Sequence, residues 1–281
     1  MNIAEHPGRR VAVPSNREFL ASVGRAFAGA LIFALPMLMT MEMWSLGVTL
    51  HPWRILLLLV ITLPLLLGLS HYSGIRRTAC WQDEVADIFV VTLVSILTSA
   101  FILWLFGVLE AGMSAREVIS KLAMQFVPCS IGAMLARSQL GEAHAGKPRR
   151  RGPSYGGELF LMMAGALFLS LNVAPTEEVE LIAHQMSTKQ EILLAVCSLI
   201  VMQVFVYAAR FRGGHAFDEI SIASVFARYT LVGYVIVLLV SLALMWLLGR
   251  TDGWAFREVL GTVIVVGFPG AIGAAAARLV L

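Results

Sequence analysis

Charged side chains are scarce in this sequence, where Asp, Glu, Lys and Arg make up only 14% of 281 residues. Soluble domains carry roughly 25% charged residues, and the 58% hydrophobic share leaves too few polar groups to cover a water-facing surface. The chain is therefore predicted to lie in a lipid bilayer. The three cysteines, Cys80, Cys129 and Cys197, are too widely spaced to indicate a zinc site or a disulfide framework.

Several signatures of common enzymes are also missing. The sequence contains no His-Glu-x-x-His pair, no complete Walker loop and no dinucleotide-binding glycine motif. We therefore predict that the protein is not an enzyme and has no cofactor. The net charge of +3 gives no indication of nucleic-acid binding.

Eight apolar runs divide the chain, each defined by its lack of Asp, Glu, Lys and Arg. A transmembrane helix needs about 20 apolar residues, so the sequence predicts an all-α polytopic membrane protein with eight transmembrane helices. One run, 122–136, is short, and Lys121 beside it is expected to reach towards the membrane interface. The runs are 26–53, broken only by Glu42, then 55–75, 88–109, 122–136, 159–176, 192–209, 229–249 and 259–277.

The basic residues favour one side of the membrane. Counting them in alternate loops places fifteen of the 21 Lys and Arg residues on the side of the N-terminus. Cytoplasmic loops are enriched in Lys and Arg, so both termini are predicted to be cytoplasmic. Residues 1–24 then form a cytoplasmic N-terminal segment, and residues 138–157, with the run Arg149-Arg150-Arg151, form a basic cytoplasmic linker.

The second half of the sequence resembles the first, which predicts an internal repeat. Repeat 1 comprises residues 25–137 with spans one to four, and repeat 2 comprises residues 158–281 with spans five to eight. Four is an even number of spans, so the two repeats are parallel in the membrane, and function is expected near the axis between them. The matched segments are Ala28-Gly29-Ala30-Leu31 with Ala164-Gly165-Ala166-Leu167, Ile55-Leu56-Leu57 with Ile192-Leu193-Leu194, and Arg116-Glu117-Val118 with Arg257-Glu258-Val259.

Small residues recur at matching places in spans four and eight. They are Gly132 with Ala136 and Gly273 with Ala277, each pair four residues apart. This spacing lets two helices approach closely. We therefore predict that these residues form helix contacts within or between the repeats.

A set of acids near the outer ends of spans one and five is the leading candidate site. Glu42 aligns with Glu178 across the repeat, and Thr40 aligns with Thr176. A carboxylate inside a membrane span is costly and is a functional candidate by default. Together with Glu177, these oxygen-bearing side chains predict an outward-facing cluster that binds a cation or a proton.

A simpler alternative needs no bound ion. The acids after span five would lie in a wet extracellular loop, and Glu42 would pair with Arg54 across the first hairpin. A second acidic set lies at the inner ends of spans three and seven, where it either complements the helix dipole or forms an inner gate. This second set consists of Asp83, Glu84, Asp218 and Glu219.

Two stretches of the sequence resemble a known family. Residues 164–178 read Ala-Gly-Ala-Leu-Phe-Leu-Ser-Leu-Asn-Val-Ala-Pro-Thr-Glu-Glu, and the first half contains the step Glu42-Met43-Trp44. The chain resembles, over nearly its whole length, a bacterial family of integral membrane proteins of unknown function. The resemblance implies a multi-pass protein of the bacterial inner membrane, and it implies no activity, ligand or site.

The sequence thus predicts cation or proton-coupled transport by an acidic cluster between the repeats. The expected partners are the lipid bilayer and small cations or protons. The sequence is also compatible with a homo-oligomer. The alternative is a membrane sensor, scaffold or assembly factor that transports nothing. If transport is the function, replacing Glu42 and Glu178 together by Gln should lower the flux.

Overall fold

The computed structural model describes residues 16–72, 81–142, 154–213 and 222–280, and all regular structure in these ranges is helical. Eight helices in this part of the chain are long and apolar enough to cross a membrane. These findings confirm the all-α, eight-span prediction. In chain order the helices are α1 (Asn16–Leu38), α2 (Met41–Thr49), α3 (Pro52–Tyr72), α4 (Trp81–Leu105), α5 (Ala115–Glu142), α6 (Tyr155–Val173), α7 (Glu177–Gln185), α8 (Thr188–Gly213), α9 (Ile222–Val225), a π-helical segment π1 (Phe226–Leu231), α10 (Val232–Leu247) and α11 (Phe256–Val280).

The first apolar run is not one helix, so the prediction of a single span over 26–53 is wrong. α1 ends at Leu38, and the separate nine-residue helix α2 begins at Met41. Pro36 near the end of α1 has no N–H, which removes one helical hydrogen bond from the last turns. Glu42 therefore lies in the first turn of a short helix and not inside a membrane span.

Span four is longer than its uncharged core. The predicted core was 122–136, whereas α5 extends over Ala115–Glu142. The prediction placed one end of the helix at Lys121 because this residue is charged. The helix includes Lys121, whose ammonium group is accommodated by donating to Val108 O at 3.0 Å. The ends of the predicted linker 138–157 are also helical in part, since α5 ends at Glu142 and α6 begins at Tyr155.

The second half repeats the break that follows the first span. α6 ends at Val173, and the nine-residue helix α7 begins at Glu177. Pro175 lies between the two helices, where it cannot continue the hydrogen-bond pattern of α6. A short helix therefore follows the first span of each half, at the same end of the helix bundle.

Each half is packed around its last helix. In the first half α5 contacts α1, α2, α3 and α4, and in the second half α11 contacts α6, α7, α8 and α10. Polar side chains inside the spans join neighbouring helices: Gln125 Nε2 of α5 donates to Met37 O of α1 at 3.1 Å. Thr230 Oγ1 of π1 donates to Gln203 Oε1 of α8. Each bond satisfies a polar group inside the helix bundle, where little water is available.

Glycines let the first and last span of each half cross closely. A methyl group built at Gly29 of α1 would lie 2.6 Å from Gly132 O of α5 and closer still to Ala136 Cβ. At Gly165 of α6, it would lie 2.6 Å from Ala277 Cβ of α11. Such close crossings provide the van der Waals contact that holds helices together in lipid. They confirm the predicted contact and place it within each half.

The main contacts between the halves are made by few helices. α3 packs on α6 and α10, and α5 packs on α6. Gly68 of α3 leaves room for the Phe160 ring of α6, which also contacts Tyr72. A two-fold relation would bring α8 onto α1 and α4 in the same way, but among the described helices the main contacts are those of α3 and α5. The internal repeat stays a prediction, which the matching packing within each half supports.

Candidate functional site

The predicted acids lie at the N-terminal ends of the two short helices. Glu42 is the second residue of α2, and Glu178 is the second residue of α7, directly after Glu177. Glu42 is half-buried, and the two α7 acids are exposed. An acid in the first turn of a helix interacts favourably with the helix dipole. This interaction is a sufficient reason for an acid to recur at both positions.

The two predicted threonine ligands precede these helices. Thr40 and Thr176 are the N-cap residues of α2 and α7, but neither side chain caps its helix. Thr40 Oγ1 donates instead to Pro36 O, and Thr176 Oγ1 donates to Val173 O at 2.9 Å. Both hydroxyl hydrogens therefore tie the chain back to the end of the preceding span, and only their lone pairs remain for another group.

The two acidic segments have different neighbours. α2 packs mainly on α5, and α7 packs on α11, so Glu42 lies in the first half and Glu178 in the second. A joint ion site of these residues stays a prediction. The described residues bring no three His, Cys, Asp or Glu side chains together in a metal-binding arrangement.

The alternative pairing of Glu42 with Arg54 is wrong. Arg54 forms a two-pronged ion pair with Asp252, with Nη1 to Oδ2 at 2.8 Å and Nη2 to Oδ1 at 2.9 Å. The partner is 198 residues away in the sequence, in the loop between α10 and α11. A planar guanidinium binds a carboxylate more strongly through two parallel hydrogen bonds than through one. Arg54 therefore connects the two halves.

The inner acidic set cannot be placed in the same detail. Asp218 and Glu219 lie outside the described residues, and so do the side chains of Asp83 and Glu84 at the start of α4. The inner gate stays a prediction.

A serine spacing of enzymatic type is explained by helix capping. Residues 152–156 have the spacing Gly-x-Ser-x-Gly, with Ser154 at the centre. Ser154 is the N-cap of α6, and its Oγ accepts from Gly157 N at 3.3 Å. A nucleophile of this motif is placed by a strand-to-helix turn, whereas the regular structure of the described chain is entirely helical.

A buried acid that sequence reasoning missed lies at the start of α8. Glu191 is only 9% exposed, although it belongs to the first turn of its helix. It lines a cavity of about 330 Å³ between α7, α8 and α11. Among the described residues its side chain makes no hydrogen bond or ion pair, whereas Asp87 of α4, the other buried acid in this part of the chain, has a partner.

The other charged or ionisable side chains that line the Glu191 cavity have hydrogen-bond partners. Glu258 Oε2 accepts from Ala255 N at 3.0 Å and so caps α11. His184 Nδ1 bonds to Glu180 O at 2.8 Å. Arg257 also lines the cavity, and its Nη2 donates to Thr188 Oγ1 at 2.9 Å. Among the described residues, Glu191 is the charged side chain of this cavity that makes no hydrogen bond or ion pair.

A second cavity, of about 540 Å³, lies between the two halves at the same end of the bundle. Arg54, Arg250 and Asp252 line it together with His51. The bond from Arg54 holds the pKa of the Asp252 carboxyl below its ordinary value. This carboxylate thus stays ionised at neutral pH and leaves the cavity with one more positive than negative group.

The sequence alignment behind the predicted repeat contained a signal for these two charges. Arg54 directly precedes the triplet Ile55-Leu56-Leu57, and Glu191 directly precedes the matching triplet Ile192-Leu193-Leu194. The two halves therefore carry opposite charges at these aligned positions. Their burial and partners were not predictable, because apolar runs do not indicate which face of a helix turns inwards.

The comparison with known families agrees with the membrane architecture. A family model described as integral membrane protein (DUF2391) matches residues 22–281. The chain belongs to the DUF2391 family. The DUF2391 match includes both halves, and therefore both cavities. No curated protein and no solved structure matches the chain.

Proposed function

We propose that the chain takes part in cation or proton-coupled transport in the bacterial inner membrane, with Glu191 as the residue that binds and releases the ion. The observation that carries the proposal is the largely buried side chain of Glu191 in the first turn of α8, whose carboxylate has no side-chain partner among the described residues and faces a polar cavity. An ionised carboxylate away from water is costly unless a cation or a proton neutralises it. Acids of this kind in membrane proteins commonly belong to ion pathways.

The packing around Glu191 keeps room for an ion. Its Oε1 lies 3.2 Å from the point where a Cβ at Gly261 of α11 would be. Any larger side chain at Gly261 would press on the carboxyl group. Ala183 of α7 lines the same cavity.

The exposed acids have a supporting role in this proposal. Glu42 and Glu178 lie at the same end of the bundle as Glu191, because the intervening spans alternate in direction. Surface carboxylates raise the local concentration of cations without holding one in place. They would therefore feed the entrance of the pathway, while Glu191 accepts the ion.

The test is ion flux into proteoliposomes. Proton entry is followed with an enclosed pH-sensitive dye under an imposed membrane potential, and sodium entry is measured in a parallel series. We expect wild-type flux above that of empty vesicles. Glu191→Gln should lower it by about tenfold or more, because a positioned proton-transfer group usually contributes at least that much.

Glu110→Gln is the matched control, since Glu110 is an exposed acid of the loop between α4 and α5 at the same end of the bundle. It should leave the flux unchanged. Wild-type vesicles that pass neither protons nor sodium would overturn transport and favour a sensor, scaffold or assembly factor. Wild-type flux in a folded Glu191→Gln protein would overturn the role of Glu191.

A further inference from the structure

The cavity between the halves is rich in hydrogen-bond donors. Its guanidinium groups come from Arg54 of α3 and Arg250 of the loop between α10 and α11, and its carboxylate comes from Asp252. Its volume of about 540 Å³ falls within the range of roughly 300–1,000 Å³ that is usual for small-molecule sites. The cavity is separate from the one that contains Glu191.

Arg54 is held firmly in this cavity. Its guanidinium carbon lies 5.4 Å from the centre of the Trp53 ring and 5.7 Å from that of Trp246. Gly249, with φ of +75°, passes so close that a Cβ there would lie 2.8 Å from Arg54 Nη1. Two aromatic faces and a backbone turn thus fix the position of both donor groups.

Asp252 is far less confined than its partner. The Arg54 side chain is 12% exposed, whereas the Asp252 side chain is 57% exposed. Water therefore reaches the carboxylate while the guanidinium stays in the protein. An anion that enters the cavity could replace the Asp252 carboxylate without moving Arg54.

Arg250 adds a second guanidinium group to the lining of this cavity. It forms an ion pair with Glu180 at 2.9 Å and donates to Pro175 O at 2.6 Å. Its Nε is buried and has no partner among the described residues. Arg250 thus adds a fixed positive charge to the wall of the cavity, while its bonds to Glu180 and Pro175 hold it in place.

We propose that the cavity binds an oxyanion, a carboxylate or phosphate group, on Arg54 in place of Asp252. Arginine binds both groups through two parallel hydrogen bonds. Asp252 acts as an internal competitor that occupies the donors until the ligand arrives. The proposal concerns binding, and so it does not depend on whether Glu191 carries an ion.

The test is the fluorescence of the tryptophans beside Arg54, measured on the purified full chain in detergent. Inorganic phosphate, succinate and short-chain phosphatidylglycerol are titrated separately. We expect saturable quenching with at least one probe. Arg54→Gln should weaken it by about tenfold or more, since hydrogen bonds to charged groups contribute that much. Arg257→Gln, which changes an arginine outside this cavity, should leave it unchanged.

Asp252→Asn gives the sharper result, because it should strengthen binding of the same probe by removing the competitor. This variant also separates the proposal from a folding defect of Arg54→Gln. Binding of phosphate or succinate would identify a dissolved anion, and binding of phosphatidylglycerol alone would identify a lipid headgroup. No quenching by any probe, or unchanged binding in a folded Arg54→Gln protein, would overturn the proposal.

Discussion

The close helix crossings are built in the same way in the two halves of the molecule. Gly29 meets Gly132 in the first half, and Gly165 meets Gly273 in the second. The loops before the last helix of each half also correspond, since each contains two glycines with positive φ. These four glycines are Gly107, Gly112, Gly249 and Gly253. The frame of the two halves is therefore alike at the positions where only glycine fits.

The charged groups at the α2 and α7 end are not alike. At matched positions the first half has Arg54, whose partner lies in the other half, and the second half has Glu191, which has no partner among the described residues. In the second half, the loop before α11 contains Arg250 and Asp252, and each of them forms an ion pair. The loop before α5 in the first half forms no ion pair among the described residues. The two halves therefore share features of their packing, whereas their charged groups at this end differ.

Substitutions at the glycine crossings test whether the two halves are packed in the same way. Gly29→Ala and Gly165→Ala each place a methyl group against the backbone of the facing helix. We expect each to lower the free energy of unfolding by about 1–3 kcal/mol, the usual cost of overpacking. Thermal unfolding in detergent measures the loss.

Gly24→Ala is the control for these substitutions, because a Cβ at Gly24 meets nothing within 4 Å. It should leave the unfolding temperature unchanged or raise it, as alanine is the better helix former. An equal loss of stability in all three variants would mean that the close crossings contribute no more than an exposed glycine position. A loss in one half alone would contradict the shared frame.

The loop anchors of the two halves should differ in strength. Arg250→Met removes an ion pair to Glu180 and a hydrogen bond to Pro175 O. Lys121→Met removes the hydrogen bond to Val108 O. We expect a loss of about 1–2 kcal/mol for the first and about 0.5–1 kcal/mol for the second. Unfolding experiments on both variants would contradict the account if Lys121→Met proved the more damaging.

The smallest expected effect is the pH dependence of the stability that the Arg54–Asp252 ion pair contributes. Arg54 lowers the pKa of the Asp252 carboxyl, so any stability from this pair is present above the ordinary Asp pKa and is lost as pH falls through the lowered value. Between about pH 5 and pH 8 the carboxyl stays ionised. The difference in unfolding temperature between wild type and Asp252→Asn should therefore stay constant over this range. A difference that grew or vanished within it would contradict the ion pair.

The sequence was sufficient for the features that depend on composition and local spacing. Apolar runs identified eight spans, and small residues four apart identified the glycine crossings. The break before Glu42 was missed because an apolar run continues through it. The partner of Arg54 was missed because it lies in the other half. The burial of Glu191 was missed because it depends on how α7 and α11 pack around α8.

The central claim is that Glu191, and not the acids at the ends of α2 and α7, carries the ion. A comparison of proton flux in proteoliposomes between Glu191→Gln and the double variant Glu42→Gln with Glu178→Gln tests it most directly. We predict a loss of about tenfold or more in the single variant. The double variant should lose less than about threefold, because surface charges act only through the local cation concentration. Full flux in a folded Glu191→Gln protein, together with lost flux in the double variant, would contradict the claim.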